Sequence, residues 1–461
     1  MKCRTTLSLV ALLVASSLPL PAQSSVTAPY DSIAREIVRT GLGQDEAIGM
    51  LRDLCINVGP RLTGSPGAAK GVAWAVAKMK ELGFQNVHTE PVMVPHWLRG
   101  PVEEASYMTD ASSKPIALHI AALGGSVATP KKGLTAEIIE ITSWDQLKAI
   151  GDRAKGKIVF FNRPMDRSLI STGQAYGRAV DQRGRGAVEA AKVGGIAALV
   201  RSMSTRIDLV PHTGMMTYVD SIPKVPAAAV STQEAETLHR LLADGHRVTV
   251  SLTLSCEMLP DVESANVMGE IVGSEKPDEV VVVGGHLDSW DKGQGAHDDG
   301  AGCVQSMEAL RLLKTLGLTP KRTIRAVLFM NEEDGLNGGI AYAAKDRGTE
   351  RTVAAIETDS GGFLPLGFGI SDSAAYGKLS QYAPLFRPFF ADHFQRGGGG
   401  ADISPMAKKH VPMIGLITDW NPYFDLHHSD SDVVTAVNER QLELGAVSLA
   451  ILTYVIAQEG L

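Results

Sequence analysis

The spacing of apolar residues divides the chain into three stretches. In the first, residues 31–40 and 46–58 have helical spacing, and the segment GPRLTGSPG (59–67) breaks the second helix, as its Gly and Pro require. A longer helix is predicted from about 68 to 82, ended by Gly83, and 87–94 is a strand candidate. From about Ser106 the texture changes. Short strand-like pieces recur at 136–141, 157–161, 197–201, 227–230 and 248–254, separated by loops rich in Gly, Pro and Ser, with one good helix at 187–193. This stretch reads as an inserted domain, mostly β with a few helices. After Cys256 strands and helices alternate: strands at 266–271, 279–284, 323–330, 353–358 and 412–417, and a closing helix at 439–458. That alternation predicts an α/β fold, a mostly parallel central sheet flanked by helices on both faces. The expected division is 24–110 and 256–461 as two parts of one domain, with a β-rich insert at 111–255 between them.

The stretch EVVVVGGHLDSWDKGQGAHDDGAG (279–302) organises the third region. Its run Val280 to Val283 is apolar and β-branched, the pattern of a strand buried on both faces. His286, Asp288, Asp291, His297, Asp298 and Asp299 follow at once, and 301–316 then has helical spacing, with Asp298 or Asp299 placed to cap it. In open α/β sheets ligands bind beyond the carboxyl ends of the strands. Other predicted strands end the same way: 323–330 in Asn331-Glu332-Glu333-Asp334-Gly335, 353–358 in Asp359, and 412–417 in Asp419 and then HHSDSD (427–432).

Neutral imidazole with carboxylate is what zinc accepts in a hydrolytic site. A pair of ions needs a bridging carboxylate, terminal ligands and an unligated base. Asp298 can bridge. His286 and Asp359 can complete one site, Glu333 and His428 the other, which leaves Glu332 as base. Each residue also has a plainer reading. Asp298 or Asp299 can be a helix cap, Glu332-Glu333 a solvated loop, His427-His428 a surface turn, and His286 a core histidine. The plainer readings weaken jointly, because every cluster falls at one predicted sheet edge.

Charge and composition remove other classes. Over 461 residues the net charge is −7, with no long basic run. That argues against a nucleic-acid partner and against a polybasic membrane patch. Lys2 and Arg4, the apolar stretch 7–20 and Pro21-Ala22-Gln23 fit a secretory signal peptide over about residues 1–23. The expected location is therefore secreted or periplasmic, with no membrane attachment after processing. The late apolar run 444–457 is too short to span a bilayer and reads as a buried helix. Cys55, Cys256 and Cys303 do not make a disulfide scaffold; three free buried thiols are the favoured reading over a Cys55–Cys256 bridge.

At GGHLDSW (284–290), GAHDDGAG (295–302), NEEDG (331–335), ETDSG (357–361) and HHSDSD (427–432) the chain resembles the M28 family of zinc peptidases. GPRLTGSPG resembles the family's N-terminal segment, the insert resembles a protease-associated domain, and VPHTG (210–214) points to one of the family's carboxypeptidase branches. The resemblance implies a zinc exopeptidase fold with two zinc ions per chain. The implied ligands are His286, Asp298, Glu333, Asp359 and His428, with Asp298 as the bridge and Glu332 as general base. His428 is preferred to His427 because Ser follows it and an acid, Asp432, stands four positions on. Asp288 matches an acid that positions the His ligand or the catalytic Glu. A cis peptide between Asp298 and Asp299 is also implied.

The implied substrate is a short peptide, down to a dipeptide, and a homodimer is implied as well. Arg178, Arg183 and His212 are candidate insert contacts to substrate, though surface charge is the plainer reading of each. Asn331, where the family more often has a small residue, and His297, an extra donor beside the bridge, depart from the pattern. Two alternatives stay open: a single-zinc glutaminyl cyclase-like enzyme, and a catalytically inactive binding scaffold. The second predicts missing ligands, and none is missing.

Overall fold

In the computed structural model, residues 26–461 are described; the signal segment expected at 1–23 lies outside them. Two eight-stranded sheets organise the chain. The first runs in the order Gln85–Leu98, Glu257–Ile271, Arg322–Phe329, Lys276–His286, Arg351–Glu357, Met413–Thr418, Pro365–Ile370, His393–Arg396. Its four middle strands, from Arg322–Phe329 to Met413–Thr418, are mutually parallel. The Gln85–Leu98, Glu257–Ile271 and Pro365–Ile370 strands pair antiparallel to their inner neighbours, and His393–Arg396 pairs parallel to Pro365–Ile370 at the edge.

The valine run sits at the centre of this sheet. Val280 to Val283 pair with Thr323 to Ala326 on one side and with the strand Arg351–Glu357 on the other. Successive side chains point to opposite faces. Val281 and Val283 pack with Met307, Leu310, Ile451 and Val455 of the helices Ala301–Thr315 and Glu439–Glu459. Val280 and Val282 pack with Tyr342 of the helix Asn337–Ala344, and with Ile403 and Met406, on the other face. Both faces are covered, so the strand shows an apolar run where a half-buried strand would alternate. The closing helix, 21 residues, is long and apolar enough to cross a membrane by length and composition, but 89% of its apolar window is buried in the protein. Burial, not shortness, marks it as a core helix.

The second sheet is built within residues 103–254. Its order is Ser112–Leu118, Glu103–Thr109, Val248–Leu254, Leu134–Ile141, Ile158–Phe161, Ala197–Arg201, Ala227–Val230, Ile120–Ala122. It therefore begins at Glu103, ahead of the stretch expected from sequence. Four strands from Leu134–Ile141 to Ala227–Val230 run parallel. The helices Trp144–Ile150, Thr172–Ala179, Asp181–Lys192 and Thr232–Ala243 lie in the same stretch. Ser143, Ser171 and Ser231 cap three of them by accepting a backbone N–H.

Arg99 fastens the two sheets. Its guanidinium donates to both oxygens of Asp291 (2.8 and 2.6 Å), to Glu103 (2.8 Å) and to the Ala122 carbonyl (2.6 Å). Cys55, Cys256 and Cys303 are free and buried, as favoured. Burial pushes the Cys55 and Cys256 thiols up to about 12, so both stay protonated and unreactive at neutral pH.

Candidate metal centre

His286 is the last residue of the central strand and is fully buried. Its Nδ1 donates to the Asp288 carbonyl at 3.0 Å. This fixes the tautomer and leaves the Nε2 lone pair free. Nε2 lies 3.2 Å from Asp298 Oδ1 and 3.7 Å from Asp359 Oδ1. On the other side, Asp298 Oδ2 is 3.2 Å from His428 Nε2, which is 3.0 Å from Glu333 Oε2. His428 takes up a left-handed backbone conformation, φ +61°, to turn its ring inward. Two donor groups result, His286–Asp298–Asp359 and Asp298–His427–His428, and they share Asp298.

The structure also separates the two adjacent aspartates. The peptide bond between Asp298 and Asp299 is cis. Asp299 Oδ1 accepts from the Gly302 N–H (2.9 Å) and Oδ2 from the His286 N–H (3.1 Å), so Asp299 caps the helix while Asp298 faces the centre. Asp432 holds the pair in place: its two oxygens accept from the His297 and Asp298 N–H groups at 2.7 and 3.2 Å.

Asp288 lies under the Glu332–Glu333 turn. Its Oδ1 accepts from Asn331 N (2.7 Å) and Glu332 N (3.2 Å). Its Oδ2 accepts from Glu333 N (3.3 Å) and Thr63 Oγ1 (2.9 Å). It thus sets the backbone that presents both glutamates. Glu333 also accepts from the Trp290 N–H at 3.2 Å, and both glutamates line a cavity of about 370 Å³ with Asp298, Asp359 and His428. Arg61, which sequence reading did not single out, supports the same region. Fully buried, it donates to the carbonyls of Gly59, Leu287, Gln294 and Gly295. The GPRLTGSPG segment that carries it was the available signal.

The remaining candidates fall on both sides of the expectation. His427 stacks on His428, ring centroids 3.4 Å apart, and its Nε2 is 3.8 Å from Asp298 Oδ2. It enters the site although sequence reading set it aside. His297 does not enter: its ring stacks on Phe363 and its Nδ1 accepts from the Gly362 N–H at 3.1 Å. Asn331 serves the turn. Its φ is +76°, a conformation that asparagine tolerates better than most residues, and its side chain bonds Asp334 and the Asn337 N–H. Arg183 and His212 are buried rather than surface charges, and Arg183 lines the cavity; Arg178 is exposed.

Electrostatics favour a cation here. Burial would raise the Asp298 carboxyl, yet bonds with His286 and His428 hold it well below its usual range. Burial would lower the two histidines, but the surrounding carboxylates raise both. Burial pushes Glu333 up to about 7, with Asp298 adding to the rise, and pushes Glu332 well up. His286 Nε2, Asp298 Oδ2 and Asp359 Oδ1 are buried without a hydrogen-bond partner. Such convergent, unsatisfied imidazole and carboxylate groups are costly unless a metal ion completes them. The donor set fits zinc.

A family model described as Peptidase family M28 matches residues 266–453. Carboxypeptidase Q of Bos taurus is 39% identical over 436 residues, covering 93% of this chain and 90% of that protein. The crystal structure of a Peptidase M28 precursor from Shewanella amazonensis SB2B superposes with a TM-score of 0.89 at 34% identity, covering 93% of this chain and 97% of that one. A zinc aminopeptidase from Bacillus subtilis shares the fold, with a TM-score of 0.65 at 19% identity over 90% of this chain and 95% of that one.

Proposed function

Because the chain belongs to peptidase family M28, we propose that it is a secreted di-zinc exopeptidase that hydrolyses short peptides or dipeptides. The observation that carries this reading is the pair of donor groups sharing Asp298, with the Glu332 carboxyl in the same cavity. In it, His286 and Asp359 would hold one zinc and Glu333 and His428 the other, with Asp298 common to both donor groups. His427, stacked beside His428, adds a neighbouring nitrogen. Zinc bound there supplies acidification of a water and polarisation of the scissile carbonyl.

The chain's own residues do the rest. Glu332 takes a proton from the attacking water and returns it to the leaving amine, a role suited to a carboxyl that burial has pushed up. Asp288 is a positioning residue, which aims Glu332 and Glu333 through their backbone. Secretion rests on the basic and apolar N-terminus. The first-sheet segments, up to about residue 102 and from 256 to 461, form the catalytic domain, and residues 103–255 a protease-associated insert that begins earlier than the expected 111 and whose residues close over the cavity and limit substrate length. A homodimer is the assembly the family resemblance implies.

The test is elemental analysis of the purified mature protein with a dipeptide panel, before and after chelation. Two zinc per chain and chelator-sensitive release of amino acids are expected. One zinc with pyroglutamyl product would replace this reading by a cyclase, and no metal and no turnover after zinc is restored would replace it by a binding scaffold.

A further inference from the structure

The loop that leaves the central strand is held from two sides. Ser289 is tied to the first-sheet side: its Oγ accepts from the Arg61 N–H at 3.0 Å, and its own N–H donates to the Arg61 carbonyl at 3.3 Å. The residues after it are tied toward the second sheet. Asp291 takes two bonds from Arg99, and Lys292 Nζ donates to Glu103 Oε1 at 2.7 Å. Between them the Trp290 ring, 2% exposed, enters the apolar core of the second sheet with Ile120, Ala122 and Ala228. It stands edge-on to Trp97, ring centroids 6.4 Å apart. Gly124 makes the room, since a Cβ there would lie 1.9 Å from the far edge of the Trp290 six-membered ring. The indole N–H has no partner, so packing rather than a hydrogen bond seats the ring.

The backbone of the same residue serves the metal centre. Trp290 N–H donates to Glu333 Oε1 at 3.2 Å, which leaves Oε2 3.0 Å from His428 Nε2. The Trp290 ring also lies 5.7 Å from the His428 ring. The VPHTG loop of the insert holds His428 from its other side. Thr213 N–H donates to the His428 carbonyl (2.9 Å), and His212 Nδ1 donates to the His427 carbonyl (2.7 Å). Arg183 Nη1 stands 3.4 Å from His428 Nδ1. His286 and Asp359 are built differently. His286 ends a first-sheet strand with its ring set by the Asp288 carbonyl, and Asp359 follows the first-sheet strand Arg351–Glu357. One terminal donor pair is thus placed by the first sheet, and the other is gripped by the insert.

We infer that Trp290 is a positioning residue through which the insert sets the affinity for one of the two ions, the one on Glu333 and His428. The inference rests on the two-zinc reading and adds which ion depends on the insert. A free glutamate carboxylate samples several rotamers. A bond to a fixed N–H selects one of them before an ion arrives, so that the ordering cost is not met at binding. The Trp290 N–H is fixed while its ring is seated against Gly124. Displacing the ring moves the N–H and with it Glu333 Oε1, whereas His286 and Asp359 do not follow. Seating of the ring in the insert and retention of that ion therefore favour each other by the same factor.

The test titrates Co2+ into the full chain freed of metal by chelation, read by visible absorption, for wild type and Gly124→Ala, each with and without Trp290→Phe. The step that belongs to Glu333 is the one missing in Glu333→Ala. In Gly124→Ala the dissociation constant of that step is expected to rise by roughly 10- to 100-fold, the scale of one charge-assisted hydrogen bond, while the other step stays within about twofold. Phenylalanine does not reach the atoms that the new Cβ meets and forfeits no hydrogen bond. In the Trp290→Phe background the same substitution is therefore expected to move the step by less than about threefold. This rescue separates the ring from the bonds that Gly124 makes with Gly214 and Met216. Equal weakening of both steps, or no rescue, would overturn the role of Trp290. Where Gly124→Ala does not fold, Trp290→Ala removes the seated ring instead, and an unchanged Glu333 step would overturn the inference. Amide exchange over residues 288–292, measured on the chain as purified, decides without counting ions. The Trp290 N–H is expected to lose protection in Gly124→Ala and keep it in the double variant; unchanged protection in Gly124→Ala would overturn the positioning. A single cobalt step in wild type would reject the two-zinc reading alone, since exchange would still decide on Trp290.

Discussion

Asp288→Asn is the sharpest single test of how the centre is built. The substitution keeps shape and removes charge. In the wild type the carboxylate accepts three backbone N–H groups and the Thr63 hydroxyl with no competing donor. An amide in the same place offers one oxygen. Turned toward Asn331 and Glu332, it points its NH2 at the Glu333 N–H, so one bond is lost and the others weaken to neutral strength. With about 1.5 kcal/mol for each charge-assisted bond and about 1 for each neutral one, the turn loses about 3 kcal/mol.

The direct assay is amide hydrogen exchange over residues 329–336, read by mass spectrometry. Protection there is expected to fall by roughly 100-fold, the equivalent of that free energy. Glu332 and Glu333 lose their placement with the backbone, so kcat/KM falls by about 100-fold as well. On the proposed two-zinc reading, the ion on the Glu333 side is expected to be lost preferentially. Protection and kcat/KM both within twofold of wild type would refute the argument that Asp288 presents the two glutamates.

Glu332→Gln is expected to abolish turnover while both zinc ions remain by elemental analysis; full activity would reject Glu332 as base. Gly214→Ala should cost activity and zinc together, because its Cβ meets the Arg183 guanidinium and His428 at 2.4 and 2.7 Å and its φ of +130° excludes a side chain; atomic absorption on the purified variant checks this. Glu443, remote from the metals, accepts from the Ala47 and Ile48 N–H groups at 2.7 and 3.4 Å, and burial pushes it from 4.5 to about 8. The folded state holds that proton more tightly than the unfolded chain, so this contribution to stability is complete below about 4.5 and is lost as pH rises through about 8. Glu443→Gln should therefore raise the melting temperature at pH 8 or above and change it little at pH 4, as calorimetry can measure; a lower value at high pH would contradict the sign.

The parts of this architecture written in local pattern were legible, and the misses have local causes. Val280 to Val283 identified the central strand because both its faces are buried. The strand Pro365–Ile370 went unread because Gly367 and Gly369 interrupt any pattern, and His393–Arg396 because an edge strand there needs no apolar face. At Asp298-Asp299 the sequence offered two equivalent caps; only the course of the turn decides which carboxylate the helix takes. The donor residues could be proposed because they follow strand ends, yet their convergence is a property of the parallel order. Arg183 read as surface charge since nothing near it in sequence tells that the VPHTG loop and the 427–428 turn enclose it. His297 read as a donor because its partner, Phe363, lies 66 positions away in the chain.

The stitching of the VPHTG loop to the His427–His428 turn gives the site a calendar. A ribosome releases the second sheet before His286, Asp298, Glu333 and Asp359, and His428 only 69 positions after Asp359. Until that turn emerges and docks on the waiting loop, the nascent polypeptide carries half of a cation site and an arginine without its neighbour. Completion of the donor cluster thus waits on the docking of the 427–428 turn against the VPHTG loop.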